Sequence, residues 1–283
     1  MKTKTTSTAI AKKLLLAALL LTTIAIFAAC SRSQTLEDWD GEGTFTLVVG
    51  ASPAPHAEIL DYIRPSLSAH GIELVIREFN DFHVVNPALV DGSLGASFFQ
   101  HGPFLNSFRQ ADELYMVGLV HVEPIGAYSL SISCISELPH GARVAFPADP
   151  ANHGRALMLL QANGLLTLDP EAGILATYTS DILANPLNLN FTAMDAALLP
   201  PIMGDVDLAI VNTNHILNAT NLDPMRDSLI RESAYSNPYA NGLTVRVGDR
   251  GHLAVELLMY YLNSDKVRDF IWQRYDGAIV PVF

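Results

Sequence analysis

Between residues 45 and 79 the hydrophobic period of the chain changes twice. Phe45 to Gly50 (FTLVVG) is a short, nearly continuous apolar run ending in glycine, the pattern of a strand buried on both faces. Ile59, Ile63 and Leu67 then recur every four residues, with Leu60 beside them, and Gly71 supplies a helix stop. Ile72 to Phe79 (IELVIREF) returns to strand character. A strand, a helix and a second strand in this order form the unit of parallel sheets, so an α/β body is expected.

The alternation continues. Ser97 to Gln100, Met116 to Val122, Ala127 to Ser133 and Arg143 to Pro147 read as strands, the last leading into a helix through Ala156, Leu159 and Leu160 that stops at Gly164. Met194 to Met203 reads as helical and Leu208 to Asn212 as a strand. At the end of the chain Ser264 stands where an N-cap belongs, Val267, Phe270 and Ile271 form one stripe, and Gly277 stops the helix. Pro and Asn cluster in Ser236 to Asn241, a crossing between lobes, and no internal repeat is visible.

Ahead of this body lies a leader. Lys2, Lys4, Lys12 and Lys13 precede an apolar run from Leu14 to Phe27, and the first 29 residues contain no acidic side chain. The run is shorter than the roughly 20 residues a membrane-spanning helix needs, so residues 1–29 read as a signal peptide. Phe27-Ala28-Ala29-Cys30 resembles the bacterial lipobox, which implies diacylglycerol on the Cys30 sulfur and cleavage before it. Two acyl chains hold a protein stably on a membrane. The body is therefore expected on the extracytoplasmic side of the cell membrane, joined through a polar, acidic tether over residues 30–43.

Charge and cysteines narrow the partners. The formal net charge is −12, and four of the 17 basic residues sit in the leader, so the body is more acidic still; Lys266 is its one lysine. That balance excludes nucleic acid and a polybasic membrane patch. Cys134 has no intramolecular partner once Cys30 is lipidated and is expected to be a small buried hydrophobe. With 49% hydrophobic residues the body can bury a sizeable core.

Catalytic signatures are missing. There is no Gly-x-Ser-x-Gly elbow; Asn263 stands where a Ser-x-x-Lys ending at Lys266 needs serine; Gly41-Glu42-Gly43 lacks the rest of a phosphate loop. No enzyme activity and no cofactor are expected. The nine histidines show no pair at the three- to five-residue spacing of a dedicated metal site, leaving only clustering through the fold, and no metal is expected.

Six stretches in order look like the methionine-binding lipoprotein family, the NlpA-type substrate-binding proteins of ABC importers: VVGASPAPHAEIL (48–60), VDGSLGASFFQHGPFL (90–105), HVEPIGAYS (121–129), DPANHGRALMLL (149–160), DVDLAIVNTN (205–214) and SNPYANGLTVR (236–246). The resemblance implies a two-lobe, type II periplasmic-binding-protein-like fold with ligand enclosed between the lobes. Residues 44–124 plus 241–283 would make one lobe and 125–240 the other. It also implies methionine, L or D, as ligand, and an ABC permease with its cytoplasmic ATPase as partners. A different apolar amino acid, a methionine dipeptide, or a surface interaction role without transport stand as alternatives.

An amino acid brings a carboxylate and an ammonium, and burying both requires partners for each. Arg155, at the start of an expected helix, offers a guanidinium fork beside unpaired backbone N–H groups; the resemblance places the family's carboxylate-binding arginine there. Asn212 ends a strand, where ligands of open α/β sheets sit, and Asn241 matches a second family contact. Phe99 and His101 stand at the end of the strand Ser97 to Gln100, and Phe82 precedes it; aromatic faces suit a thioether. Glu123 is a counter-charge for the ammonium, a surface carboxylate or a hinge hydrogen bonder. The family often has Tyr at Phe82, Gln-Pro at Val84-Val85 and an aromatic at His215, departures that bear on ligand identity.

Overall fold

The computed structural model describes residues 35–219 and 221–283, so the leader, its cleavage point and Cys30 lie outside the described residues. The first expected unit is present: β1 (Phe45–Ala51) and β2 (Ile72–Glu78) pair in parallel, and α1 (Glu58–Ser68) makes the crossover. Leu47, Val49 and Ala51 on one face of β1 pack against Ile59, Leu60, Ile63 and Leu67 of α1. Val48, on the other face, packs with Val85, Leu89 and Leu94. Burial on both faces explains the unbroken apolar run.

The chain continues through α2 (Val85–Val90), β3 (Ala96–His101), α3 (Gly102–Ser107) and β4 (Leu114–Val122). It then crosses at Glu123 to a second sheet made of β5 (Gly126–Tyr128), β6 (Arg143–Pro147), β9 (Asn190–Met194), β10 (Leu208–Val211) and β11 (Ile230–Arg231). α4 (Pro150–Ala162) follows β6, a short pair β7 (Thr167–Leu168) and β8 (Ile182–Ala184) follows α4, and α5 (Thr213–Ala219) follows β10. The chain returns over residues 232–239 to β12 (Ala240–Arg246), α6 (Leu253–Leu262), α7 (Asp265–Tyr275) and β13 (Val280–Pro281).

Two mixed sheets result, ordered β13-β4-β12-β3-β1-β2 and β11-β5-β10-β6-β9. Each carries its own core, one around Leu60, Phe98 and Val245, the other around Val144, Phe146 and Leu160. At about 1.5–3 kcal/mol per fully buried aliphatic or aromatic side chain, either core can hold its sheet and helices together. β3, β6 and β10 end where the sheets face each other across residues 99–101, 149–155 and 212, and that junction is where a site forms.

Several sequence expectations are corrected. Met194 to Met203 is not an α-helix: it is the end of β9 followed by two 3-10 turns, Ala196–Leu198 and Pro200–Ile202. Adjacent Pro200 and Pro201 lack the N–H groups that an α-helix needs there. The strand expected over Ala127 to Ser133 stops at Tyr128, because Ser129 Oγ accepts from the backbone N–H of Ser131 and Ile132 and turns the chain. Cys134 is exposed rather than buried, at the entry to a 3-10 turn with its Sγ 3.2 Å from Ser136 Oγ. The described part of the tether is anchored: Leu36 and Trp39 pack on the first core, and Leu36 N–H donates to Asp249 Oδ1 at 2.7 Å. Polar neighbours in the sequence conceal those two apolar contacts.

Candidate ligand-binding site

β3 delivers two of the expected side chains from a strand that is buried along its whole length. Phe99 turns into an aromatic group with Phe82 and Phe104, ring centroids 5.8–6.0 Å apart, and His215 of the other sheet's α5 covers Phe82 at 4.8 Å. His101 caps α3: its Nδ1 accepts from Phe104 N–H at 3.1 Å. That contact makes Nε2 the protonated nitrogen, which donates to Asn152 Oδ1 at 3.2 Å.

Asn152 is a junction that the sequence motif contains but does not single out. Its Oδ1 also accepts from Asn212 Nδ2 at 3.0 Å, and its own amide donates to both oxygens of Asp149 at 3.1 Å. One amide thereby ties a strand of the first sheet to the end of β10 in the second. Asn212 Oδ1 is left buried with no protein partner among the described residues. Leaving such an acceptor unpaired costs about 1–3 kcal/mol, so it marks a place for a donor.

Arg155 lies in the second turn of α4, not at its start. The first turn is closed by Asp149, whose Oδ1 accepts from Asn152 N–H at 2.9 Å, so the open helix end expected beside Arg155 is occupied. The guanidinium itself is fixed on three sides. Nε reaches both Glu232 oxygens at 3.1 Å, Nη2 reaches Glu232 Oε2 at 2.6 Å and the Glu123 carbonyl at 2.8 Å, and Cζ stacks 4.3 Å from the Tyr239 ring centroid. Nη1 has no partner among the described residues. Gly154 makes this placement possible: a Cβ there would fall on the Ile174 carbonyl oxygen, so only glycine lets α4 lie against that turn.

Glu123 directly follows β4 and is buried. Its Oε1 accepts from His121 Nε2 at 2.9 Å and lies 3.1 Å from His56 Nε2. Burial pushes the Glu123 carboxyl above its usual range, against the pull of His56 and Arg155. Burial likewise lowers His56, His101 and His121 to about 3, so all three rings are neutral at ordinary pH. Asn241 sits on β12 directly between His101 and His121 on the flanking strands.

All seven expected residues, Phe82, Phe99, His101, Glu123, Arg155, Asn212 and Asn241, line one cleft together with Gln100, Phe104, Asn152 and Asn214. It holds about 330 Å³ of space not filled by protein atoms, part of it open to solvent. One end is cationic and amide-rich, the other aromatic. Glu232 and Tyr239, which hold Arg155, went unseen in the sequence; Tyr239 falls inside the stretch SNPYANGLTVR, whereas Glu232 lies in a segment with no motif. The donor atoms of Asp81, His83 and Asp195 approach within 4.8 Å of one another outside the cleft, a grouping that spacing along the chain could not reveal.

A family model described as NlpA lipoprotein matches residues 47–283. The chain belongs to the NlpA lipoprotein family. Among NlpA-family relatives, the methionine-binding lipoprotein MetQ of Bacillus subtilis (strain 168) is 36% identical over 276 residues, 96% of this chain and 99% of the relative. A nutrient binding protein from Burkholderia cenocepacia, solved bound to methionine, superposes with a TM-score of 0.79 at 37% identity, covering 84% of this chain and 100% of the other. An ABC transporter periplasmic substrate-binding protein from Coxiella burnetii gives 0.78 at 34% identity, covering 83% and 100%. The two-lobed α/β arrangement of this NlpA-family chain is the periplasmic-binding-protein fold of those structures, and the family is one of substrate-binding proteins rather than enzymes. No helix among the described residues is long and apolar enough to cross a membrane.

Proposed function

We propose that this NlpA-family protein captures methionine in the cleft between its two sheets and delivers it to an ABC permease driven by a cytoplasmic ATPase. Lipid on Cys30 holds it outside the membrane, and it carries out no reaction on its ligand. Residues 44–124 with 241–283 move as one lobe and 125–240 as the other, hinged where the chain crosses at Glu123 and again over residues 232–239.

The observation that carries this reading is the cleft's division into two chemically distinct ends. Arg155 Nη1 receives the carboxylate, with Asn241 beside it. Asn212 Oδ1, a buried acceptor without a protein donor, and the Glu123 carboxylate receive the ammonium. Phe82, Phe99 and Phe104 face the side chain, and sulfur beside a ring adds about 0.3–1.5 kcal/mol. The methionine bound by the Burkholderia cenocepacia relative supports the same ligand.

Calorimetric titration with L-methionine, D-methionine and methionine dipeptides tests it, on protein freed of any co-purified ligand. Saturable one-to-one binding of methionine is expected. Absence of heat and of a melting shift with both stereoisomers, while another amino acid or a dipeptide binds, would assign the cleft to that ligand instead.

A further inference from the structure

Behind the wall of the cleft formed by Glu123 lie two buried imidazoles that the ligand reading does not use. His56 sits in the helical turn Pro53–Ala57 before α1, and His121 on β4; both are at most 1% exposed. His56 Nδ1 is 2.6 Å from Ser52 Oγ, whereas its Nε2 is buried, 3.1 Å from Glu123 Oε1, and has no fixed hydrogen-bond partner. His121 Nε2 donates to the same oxygen at 2.9 Å. One carboxylate oxygen thus stands between two ring nitrogens. The contact with His56 can be closed in either of two ways: by an N–H of the ring donating to a carboxylate, or by an O–H of the acid donating to the bare ring nitrogen.

We infer that His56 and His121 are positioning residues for Glu123, and that the acid proton held in the Glu123–His56 contact leaves the protein when a ligand ammonium binds Glu123. The inference rests on the reading that Glu123 is the ammonium's counter-charge. In the free protein the acid form is favoured because a bare carboxylate here is enclosed by apolar core and by neutral rings. The groups that face Glu123 from every packed element are His56, His121 on β4, Arg155 on α4 and Tyr275 on α7, with the Asn214 backbone N–H from α5. Arg155, the one permanent cation among them, is itself neutralised by Glu232. An arriving ammonium supplies the missing charge. The Glu123 O–H bond then breaks, its electron pair stays on the carboxylate, the proton passes to buffer, and an N–H of the ammonium donates to the oxygen in its place. His121 keeps donating throughout and fixes the rotamer; Ser52 holds the His56 ring.

Binding is then linked to pH. Affinity rises up to tenfold per pH unit as pH climbs through the range where free Glu123 titrates, and is level above it. The test is methionine titration of the purified full chain in detergent micelles, at matched pH in two buffers of different ionisation heat, repeated between pH 5 and 8. Release approaching one proton per methionine at the acid end, falling to none where affinity levels, is expected. Glu123→Gln should bind more weakly with no proton released. His56→Gln, checked for an unchanged fold by circular dichroism, should still release a proton but with the pH profile displaced, which a merely structural residue would not do. Methionine binding with no proton release and a flat profile from pH 5 to 8 overturns this inference alone. No methionine binding at any pH overturns the ligand reading and this one with it.

Discussion

Replacing Arg155 with lysine keeps the charge and removes the fork, which separates the two tasks the guanidinium performs. In the native site Nε and Nη2 are committed to Glu232 and to the Glu123 carbonyl, leaving Nη1 for the ligand. A lysine has one nitrogen at the end of a flexible stem and no plane to stack on Tyr239, now 4.3 Å away. It can satisfy Glu232 or a ligand carboxylate, not both in the same geometry. A hydrogen bond to a charged group contributes about 1.5–3 kcal/mol, so losing one from the bound state weakens methionine by roughly 10- to 150-fold. Glu232 is 19% exposed and keeps a cation nearby, so the folding cost is smaller than that of a stranded buried charge, about 1–3 kcal/mol. Calorimetry reads the first quantity and a thermal melt the second. A dissociation constant within threefold of the parent's, in a variant whose melting point has fallen, would show Arg155 to be a structural tie between α4 and the returning chain and not a ligand group.

Other outcomes follow from single contacts. Gly154→Ala drives a methyl group into the Ile174 carbonyl and should lower stability by about 1–3 kcal/mol in a urea melt, because backbone on both sides has to move; an unchanged midpoint would refute the close approach. Asn212→Ala removes the unpaired Oδ1 and should weaken methionine by roughly 5- to 150-fold, about 1–3 kcal/mol, with a modest change in melting temperature; full-strength binding would place the ammonium elsewhere. His101, lowered to about 3 by burial and then by Arg155, binds its proton in the unfolded chain near pH 6.5 but not in the fold. Its contribution is therefore complete above pH 6.5 and is lost as pH falls towards 3, about 2 kcal/mol by pH 5. His101→Gln should lose correspondingly less stability than the parent between pH 7 and pH 5, and equal losses in the two urea series would refute the assignment.

Much of this was legible because periodicity reports burial directly. The run FTLVVG has core on both faces and the stripe of α1 has core on one, so both could be read without partners in view. The ends of elements were harder. Ser129 stops β5 through its side chain, and the proline pair 200–201 forbids an α-helix despite the apolar composition around it. In the site, residues named by a motif were found, while those acting through another side chain were not. Glu232, 77 positions from Arg155, carries no local mark of its role; His56 meets Glu123 only because the segment before α1 packs against the end of β4, whereas His121 reaches it from two residues away on the same stretch of chain.

The two ends of the cleft set different degrees of selectivity. The polar end is built from groups that already hold one another: His101, Asn152 and Asn212 are linked in series, and Arg155 is clamped between Glu232 and Tyr239. Such groups cannot rearrange to suit a ligand that lacks a charge, so an amino-acid ester or amide leaves Arg155 Nη1 without its anion and an N-acylated amino acid leaves Asn212 Oδ1 unpaired, and rejection by a factor on the order of 10⁴ is expected of sites of that kind. The aromatic end presents the rings of Phe82, Phe99 and Phe104, which carry no hydrogen-bonding group. One methylene there is worth only about 1–3 kcal/mol, so norleucine or leucine should follow methionine by roughly 10- to 200-fold. Phe82 deepens that contrast, since its ring brings no hydroxyl to the aromatic wall and adds only apolar surface. Discrimination in this chain therefore rests on the backbone groups of the amino acid first and on its side chain second, and a panel of methionine analogues altered at one end at a time should separate into these two classes.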